Sequence, residues 1–361
     1  MASGGVADAS VEAPALPAPR LEGVEVLRVV AVAAVVVIHA TPFNQRGRLG
    51  AAWEAATVAN QLARFAVPAF LVLAGFFWAR RAPANQGDGA ATRRMVTRLL
   101  ALFAAWSVVY ILPFDGALFR QDVPHAWAGQ LGRNWRWIVS HPGTVLLQGT
   151  SGHLWFLPAL ASAVAIAAVV RRWLGWRALV TVAVLAAGYA LLALPYARTP
   201  WGLAVGYNAR NGPAFALPCV VIGMALARHA PTPAWVPRGA ALLVGGALLS
   251  VVEATWLAHA HQVRLTHDFV AGTFAFGTGA AMVGLANPAA LRQPRVAALG
   301  SAVLGIYLIH PIWLDLLLPV MQRARAPWAD LAGMAAVFLL SLGCSRALAR
   351  RARWRWVVTT R

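Results

Sequence analysis

Ten apolar runs, separated by short polar or arginine-containing stretches, occupy most of this 361-residue chain. Each is long enough to cross, or nearly cross, a hydrocarbon layer of about 30 Å as a helix. The runs therefore predict an all-α, polytopic membrane protein with about ten transmembrane helices. Their approximate limits are 24–41, 62–79, 99–115, 153–170, 178–195, 212–228, 239–257, 268–286, 297–318 and 328–348.

The composition requires lipid as the solvent of this chain. Hydrophobic residues make up 60% of it and charged residues only 12%, with a mean hydropathy of +0.63. A soluble domain of this size could not bury that much apolar surface. The net charge of +19 comes from arginine alone, since the sequence contains no lysine. The arginines lie at the ends of apolar runs and form no basic, aromatic-interleaved soluble face, which argues against nucleic acid as a partner.

The placement of arginine predicts the orientation. With the N-terminus in the cytoplasm and ten spans, 19 arginines fall on the cytoplasmic side and 10 on the other, and Arg28 and Arg64 lie within runs. The positive-inside rule favours this arrangement, with both termini cytoplasmic, in a multi-pass protein of the cell (inner, cytoplasmic) membrane. Residues 1–20 lack the features of a secretory signal and are expected to be a disordered cytoplasmic tail. Residues 21–348 would form the transmembrane domain and 349–361 a basic cytoplasmic tail.

Arg28 and His39 are the most unusual residues of the first run. Both side chains are costly in lipid, and each marks a functional site when it lies within a spanning helix. They are eleven residues apart, so roughly 16 Å separates them along the helix axis and both fall on nearly one face. Glu25, three residues before Arg28, is expected to form an intrahelical ion pair with it.

Two further histidines are expected at a similar depth. His153 opens the fourth run and His310 lies within the ninth, so all three histidines fall in the outer half of the membrane. Histidine suits proton abstraction near neutral pH, and a buried, hydrogen-bonded imidazole is the alternative interpretation of each. No two of these histidines lie a helical turn apart as metal ligands often do, so no metal is expected.

An arginine cluster precedes the third run on the predicted cytoplasmic side. Arg94 and Arg98 are four residues apart and share a helix face, with Arg93 beside them, and a guanidinium fork suits phosphate oxygens. Topology signalling and snorkelling to the interface are the alternatives. A phosphate-bearing donor bound inside and a base toward the outside would suit transfer of a group from a cytoplasmic carrier to an acceptor at the opposite face.

The longest outer loop is expected at 116–152. It contains Trp127, Trp135 and Trp137. Tryptophans rest at headgroup depth as an interfacial belt, but aromatic rings also form the usual floor under a sugar. The loop is therefore a candidate substrate surface.

Five segments of the chain, taken in order, resemble the acyltransferase-3 family of integral-membrane acyltransferases. They are LEGVEVLR followed by His39, ARFAVPAFLVLAGFF at 63–77, the arginine cluster leading into RLLALF at 98–103, HLWFL at 153–157 and GIYLIHPI at 305–312. Two positions depart from the family pattern. Met95 stands where a second loop arginine is common, and Ala74 stands where serine is usual.

The resemblance implies a ten-helix fold, an acyl-coenzyme A donor, with acetyl-CoA the expected form, and O-acylation of a surface or exported carbohydrate. It also implies that His39 is the catalytic base, that Arg28 is essential nearby, and that Arg93, Arg94 and Arg98 hold the coenzyme A phosphates. The likeness is to the short form of the family, without an appended esterase-like domain.

The oxyanion donors and acceptor contacts are less defined. His153, Trp155, Tyr307 and His310 are the candidates, and the expected partners are membrane lipid and a carbohydrate. Two other functions stay open. A transporter or flippase for a free or lipid-linked glycan would use intramembrane Arg and His to bind or gate its cargo, and a non-catalytic subunit of a glycan-synthesis complex would tolerate replacement of His39.

Overall fold

The computed structural model describes residues 21–40, 50–81, 89–114, 123–324 and 327–359. The described part of the chain forms α-helices joined by short 3₁₀ turns and contains no β-strand, so the predicted all-α class is confirmed. The predicted tail at 1–20 lies outside the described residues. The helices are α1 (Glu22–Ala40), α2 (Gly50–Ala63), α3 (Ala66–Arg81), α4 (Gly89–Val109), α5 (Val123–Ser140), α6 (Pro142–Gln148), α7 (Phe156–Ala193), α8 (Pro213–Leu226), α9 (Trp235–His261), α10 (Ala271–Ala286), α11 (Pro294–Ala297), α12 (Val303–Ala324) and α13 (Pro327–Arg350).

Six helical stretches in the described part are long and apolar enough to cross a membrane, and α8 and α10 are apolar but shorter. Each predicted apolar run overlaps a helix, while the total of ten spans and the orientation of the termini stay predictions. The six stretches are Glu22–Ala40, Ala55–Arg81, Gly152–Ala193, Trp235–His261, Pro294–Met321 and Trp328–Arg350.

The outer surface of the helix bundle is apolar. Large side chains such as Val184 and Leu185 on α7, Leu248 and Val252 on α9, and Leu339 on α13 are all exposed. An exposed apolar surface of this extent is unfavourable in water and marks a membrane or protein contact. Together with the long apolar helices, it identifies the chain as a membrane protein.

The first helix, α1, lies between several others and positions the site. It packs against α2, α3, α10, α12 and α13, and residues on opposite faces of it, such as Val29 and Ala31, are buried. Its neighbours come from both ends of the chain. A polar side chain near either end of α1 therefore faces protein groups rather than lipid alone.

Close contact between α3 and α8 depends on two glycines. A Cβ at Gly75 would overlap the backbone of Val220, and a Cβ at Gly223 would overlap the backbone of Val72. Small residues let membrane helices gain packing energy from direct backbone contact, because lipid gives no hydrophobic drive for their association. This contact anchors α8 and the 3₁₀ turn Ala209–Asn211 that precedes it.

The fourth and fifth predicted runs belong to one long helical element, α7, interrupted at Gly175. This glycine has φ 81° and ψ −179°, which is outside the helical region. A residue with a Cβ rarely adopts a positive φ, whereas glycine does so at little cost. The interruption falls between the predicted limits 153–170 and 178–195.

The described part of the predicted outer loop, 116–152, contains two helices that were not predicted, α5 and α6. The polar residues of α5, including Gln130, Arg133, Asn134 and Arg136, leave no apolar run that would reveal a helix. An amphipathic helix shows itself by a stripe every three to four residues, and overall hydropathy does not detect it. The helix α2 was also not predicted, because most of it precedes the run that begins at residue 62.

The described part of the predicted basic tail packs back on the bundle. Nε1 of Trp106 in α4 donates to the carbonyl oxygen of Val357 at 3.0 Å. The Arg98 guanidinium donates to the carbonyl oxygens of Trp356 and Thr359. Backbone acceptors near the C-terminus therefore hold one of the arginines expected to bind phosphate.

Candidate functional site

Three histidines from distant parts of the chain meet at one point. His39 lies in the last turn of α1, His153 in the 3₁₀ turn Gly152–Trp155 before α7, and His310 in α12. Ring centroids are 5.0 Å apart for His39 and His310 and 5.5 Å apart for His153 and His310. His153 and His310 are buried, whereas His39 is partly exposed. Of the three residues, His39 is therefore the least buried.

The hydrogen-bond partners of His39 assign its tautomer. Nδ1 lies 2.9 Å from the carbonyl oxygen of Val35, one turn earlier in α1. A carbonyl oxygen only accepts, so Nδ1 carries the hydrogen and Nε2 keeps a lone pair. Nε2 is thus the nitrogen that can take a proton.

The dipeptide His310-Pro311 explains how His310 is held. Proline has no N–H, so Pro311 leaves the carbonyl oxygen of Tyr307, four residues earlier, without its helical donor. Nδ1 of His310 occupies that acceptor at 2.7 Å. Nε2 of His310 therefore has the free lone pair, and it lies 3.3 Å from Nδ1 of His39. The Nδ1–H of His39 is shared between Val35 and His310.

Two tyrosines frame the buried side of the cluster. The Tyr307 hydroxyl donates to the carbonyl oxygen of His153, and the Tyr110 hydroxyl donates to that of Leu308 at 2.7 Å. The rings of Tyr110 and His153 meet edge to face with centroids 4.9 Å apart. Since its hydroxyl is already engaged, Tyr307 fixes the 3₁₀ turn against α12. Nε2 of His153 is buried, and within the described ranges it makes no hydrogen bond.

A charged cluster that sequence reasoning missed lies beside the histidines. Asp268, between α9 and α10, accepts from Arg64 at 2.8 Å and from Arg210 at 2.9 Å. All three groups interact electrostatically with His39. Arg64 was an available signal, because it is a cation inside the predicted run 62–79. Asp268 lies only at the first position of the run 268–286, and Arg210 lies outside every run.

Asn60 connects this cluster to α1. Its Oδ1 accepts from Nε of Arg64 at 3.2 Å, and its Nδ2 donates to the carbonyl oxygen of Ile38 at 2.9 Å. Ile38 directly precedes His39. The amide therefore ties the position of Arg64 to the last turn of α1.

Asp268 is ionised at neutral pH. Burial raises the pKa of its carboxyl group, but the guanidiniums of Arg210 and Arg64 outweigh burial and hold that pKa below its usual range. His267 beside it has a lowered pKa, chiefly because burial disfavours its charged form. The cluster thus contains one carboxylate between two cations and keeps a positive balance.

Trp155 belongs to the same region. The Arg210 guanidinium lies over its ring, 4.9 Å from the centroid, and the ring contacts Phe215 of α8. Such cation–π contacts contribute about 0.5–2 kcal/mol. Trp155 therefore orients Arg210 next to Asp268.

A cavity opens on the other side of the cluster, behind Tyr110. Its volume is about 270 Å³, and it is lined by Tyr110, Asn134, Trp137, Gln148 and Thr150, with Ile138. An indole ring beside amide and hydroxyl groups is the chemistry that suits a sugar ring. Trp137, from the predicted loop 116–152, thus lies on α5 at a cavity that adjoins the ring packed on His153.

The remaining predicted site residues lie elsewhere. Arg28 forms the expected ion pair with Glu25, at 2.9 Å, three turns from His39. Arg93 and Arg94 are exposed on α4, and Arg98 is bound to the C-terminal carbonyls described above. The structure therefore brings together His39, His153, Trp155, Tyr307 and His310. The predicted arginines, Arg28, Arg93, Arg94 and Arg98, do not join them.

Glu253 has a structural explanation that its sequence position did not reveal. Its two carboxylate oxygens accept from the backbone N–H groups of Ala271 at 2.9 Å and Gly272 at 3.0 Å, and the Tyr196 hydroxyl also donates to it. These amides begin α10 and have no partner within the helix. A carboxylate is favoured at this end of a helix dipole. Glu253 therefore caps α10.

Within the described ranges, no group of three or more His, Cys, Asp or Glu side chains is placed to hold a metal ion. Nδ1 of both His39 and His310 faces a backbone carbonyl oxygen. The contacts that fix the rings are thus made by the protein itself.

Comparison with known protein families gives a match over most of the chain. A model of an acyltransferase domain, that of the acyltransferase-3 group, matches residues 21–350. No curated protein and no solved structure matches the chain significantly. The matched region contains every residue of the histidine and arginine clusters.

Proposed function

Because this chain belongs to the acyltransferase-3 family, we propose that it transfers an acyl group from acyl-CoA to a hydroxyl group of a surface or exported carbohydrate. Acetyl-CoA is the expected donor. The observation that carries the proposal is the partly exposed His39, whose Nε2 keeps a lone pair because Nδ1 donates to the carbonyl oxygen of Val35. A membrane acyltransferase needs such a base to activate a hydroxyl group.

The proposed reaction has two steps. Nε2 of His39 takes the proton of the acceptor hydroxyl as its oxygen attacks the thioester carbonyl carbon, which forms a tetrahedral oxyanion. The oxyanion collapses, the carbon–sulfur bond breaks, and the imidazolium returns the proton to the departing thiolate. The products are an O-acyl ester and free coenzyme A. General base catalysis of this kind supplies about 10²–10⁴ in rate.

His310 acts as a positioning residue in this scheme. When His39 becomes an imidazolium, its Nδ1–H is a stronger donor, and Nε2 of His310 accepts from it beside the carbonyl oxygen of Val35. A neutral imidazole stabilises the positive charge of the His39 imidazolium less than a carboxylate would. It also adds no negative charge near the developing oxyanion.

Arg64 and Arg210 act on the other charge that develops in the reaction, the negative charge of the oxyanion. They keep positive charge near His39 after pairing with Asp268, and a preorganised cation favours the oxyanion in a water-poor site. In this scheme Arg64 and Arg210 stabilise the oxyanion, because the Tyr307 hydroxyl is engaged with His153. Trp155 contributes by holding Arg210.

The donor would enter from the side of Arg28. Arg93 and Arg94 are exposed and free to meet the phosphates of coenzyme A, while Arg98 would join them only by leaving its carbonyl partners. The pantetheine arm would then follow α1 toward His39. One uncharged sugar ring of the carbohydrate would occupy the cavity lined by Trp137.

The test is to delete the gene, analyse cell-surface glycans for alkali-labile esters, and complement with wild-type protein or His39→Gln. We expect the esters to disappear on deletion and to return only with the wild type. Esters at the normal level together with lost glycan export would favour a transporter. Full complementation by His39→Gln at equal abundance would favour a non-catalytic subunit.

A further inference from the structure

A second, larger cleft lies on the Arg64 side of the histidine cluster. Its volume is about 650 Å³, and it lies between the segment after α7 and the segment that joins α9 to α10. Three arginines line it: Arg64, Arg198 and Arg264. Leu194 and Val263 are among its apolar walls. A cleft with this lining concentrates positive charge beside an apolar surface.

The single carboxylate in the lining does not neutralise this charge. Asp268 is already shared between Arg64 and Arg210, at 2.8 and 2.9 Å. Arg198 and Arg264 are exposed, and neither forms an ion pair with any described residue. Focused charge of one sign in a cleft attracts ligands of the other sign.

Buried polar atoms at the same place lack partners. Nε2 of His267, a lining residue, and Nε2 of Gln61 are buried and make no hydrogen bond within the described part of the chain. The two residues are joined, because Oε1 of Gln61 accepts from the His267 amide at 3.0 Å. A buried donor without an acceptor costs about 1–3 kcal/mol. His267 thus brings a side chain with an unpartnered ring nitrogen to the lining of the cleft.

The cleft is connected to the proposed base. Arg64 lines it and also bonds to Asn60, which holds the carbonyl oxygen of Ile38 next to His39. An anion bound here therefore interacts with the residue that fixes the end of α1. A ligand that spans from the cleft toward His39 would carry its acidic group and its reacting hydroxyl group in one molecule.

We propose that this cleft binds the acidic group of the acceptor, so that the acceptor is an acidic carbohydrate bearing a uronic acid carboxylate. This rests on the proposed function and adds to it the charge of the substrate. Arg198 and Arg264 would pair with the carboxylate by their guanidinium forks. The phosphates of the donor would bind elsewhere.

The test uses the full-length protein in lipid nanodiscs with three probes: trigalacturonate, its neutral methyl ester and coenzyme A. We expect the wild type to bind trigalacturonate more tightly than the ester. Arg198→Gln/Arg264→Gln should weaken trigalacturonate binding about five- to tenfold, leaving the ester and coenzyme A unaffected. The charge-matched control Arg350→Gln/Arg351→Gln removes two exposed arginines at the end of α13 and should change none of the three.

Equal affinity of the wild type for the acid and its ester would overturn the inference. So would a double variant that weakens coenzyme A binding alone, which would assign the cleft to the donor. Failure of the proposed function can be distinguished from failure of this inference. Esters that persist after gene deletion, with acid preference retained, would reject acyl transfer but keep the anion-binding cleft. Esters that disappear on deletion, without acid preference in binding, would reject only the acidic acceptor.

Discussion

Nε2 of His310 lies 3.3 Å from Nδ1 of His39, although 271 positions separate the two residues in the chain. Both nitrogens have roles set by backbone carbonyls, since Val35 binds Nδ1 of His39 and Tyr307 binds Nδ1 of His310. In this pair, His39 is therefore the hydrogen-bond donor and His310 the acceptor. When Nε2 of His39 takes a proton, the hydrogen bond from its Nδ1 to His310 helps to stabilise the imidazolium.

Replacement of His39 by glutamine should abolish most of the activity. The amide keeps a polar side chain but cannot act as a base, so kcat for acyl transfer should fall about 10²–10⁴-fold. The measurement is ester formation by purified protein in nanodiscs. His229→Gln, at an exposed histidine after α8, is the matched control and should behave as wild type. Equal rates for both variants would remove His39 as the base.

Replacement of His310 should change turnover and leave donor affinity alone. His310→Leu removes the acceptor behind His39, and kcat should fall about 10–100-fold through loss of orientation. The KM for acyl-CoA should stay the same. His310→Gln can still offer an oxygen to Nδ1 of His39 and should recover part of the loss. A rise in KM at constant kcat would instead place His310 in donor binding.

The variant Pro311→Ala tests how the ring of His310 is held. It restores an N–H at position 311, which competes with His310 for the Tyr307 carbonyl oxygen. Since one hydrogen bond contributes about 1 kcal/mol, kcat should fall about fivefold, while the Tm should be unchanged or higher. Thermal melts and initial rates on the same preparation give both values. Full activity would show that this carbonyl does not orient the ring.

Asp268→Asn should destabilise the protein in a pH-dependent manner. It leaves Arg64 and Arg210 together without their carboxylate, at a cost of about 3 kcal/mol. The pKa of Asp268 is lower in the folded protein than its usual value, so its stabilising effect is complete above the unfolded pKa. It is lost as the pH falls through the folded pKa. The Tm deficit of the variant should be constant from about pH 8 to 5 and shrink below about pH 4.

A Tm deficit that does not change down to the most acidic pH the wild type tolerates would contradict this account. Arg64→Gln is the companion variant, because it breaks the same ion pair from the other side. Its deficit should shrink over the same acidic range.

Glu253→Ala tests whether this buried acid is structural. Its carboxylate binds the first amides of α10, so its removal should lower the free energy of unfolding by about 1–3 kcal/mol. The rate per folded molecule should not change. Glu253→Gln keeps one acceptor oxygen and should lose less stability. A large drop in the rate per folded molecule with an unchanged Tm would instead indicate that Glu253 takes part in the reaction.

Some of the site was predictable because it is local. The ion pair between Glu25 and Arg28 follows from a spacing of three residues on a helix, and the structure contains it. The helix α5 was not predicted, since it has no apolar run, and most of α2 precedes the predicted run 62–79. The role of Glu253 could not be seen either, because its partners at Ala271 and Gly272 are reached only when α9 and α10 pack together.

The sequence by itself determined that this protein is a bundle of apolar helices with rare polar residues inside them, because burial of apolar side chains and helical periodicity act over neighbouring residues. It also identified His39, His153 and His310 separately as candidate site residues. Only the tertiary structure decided that they meet, and that Asp268 joins Arg64 to Arg210 beside them. Those contacts depend on how helices dock across long stretches of chain, which no local pattern encodes.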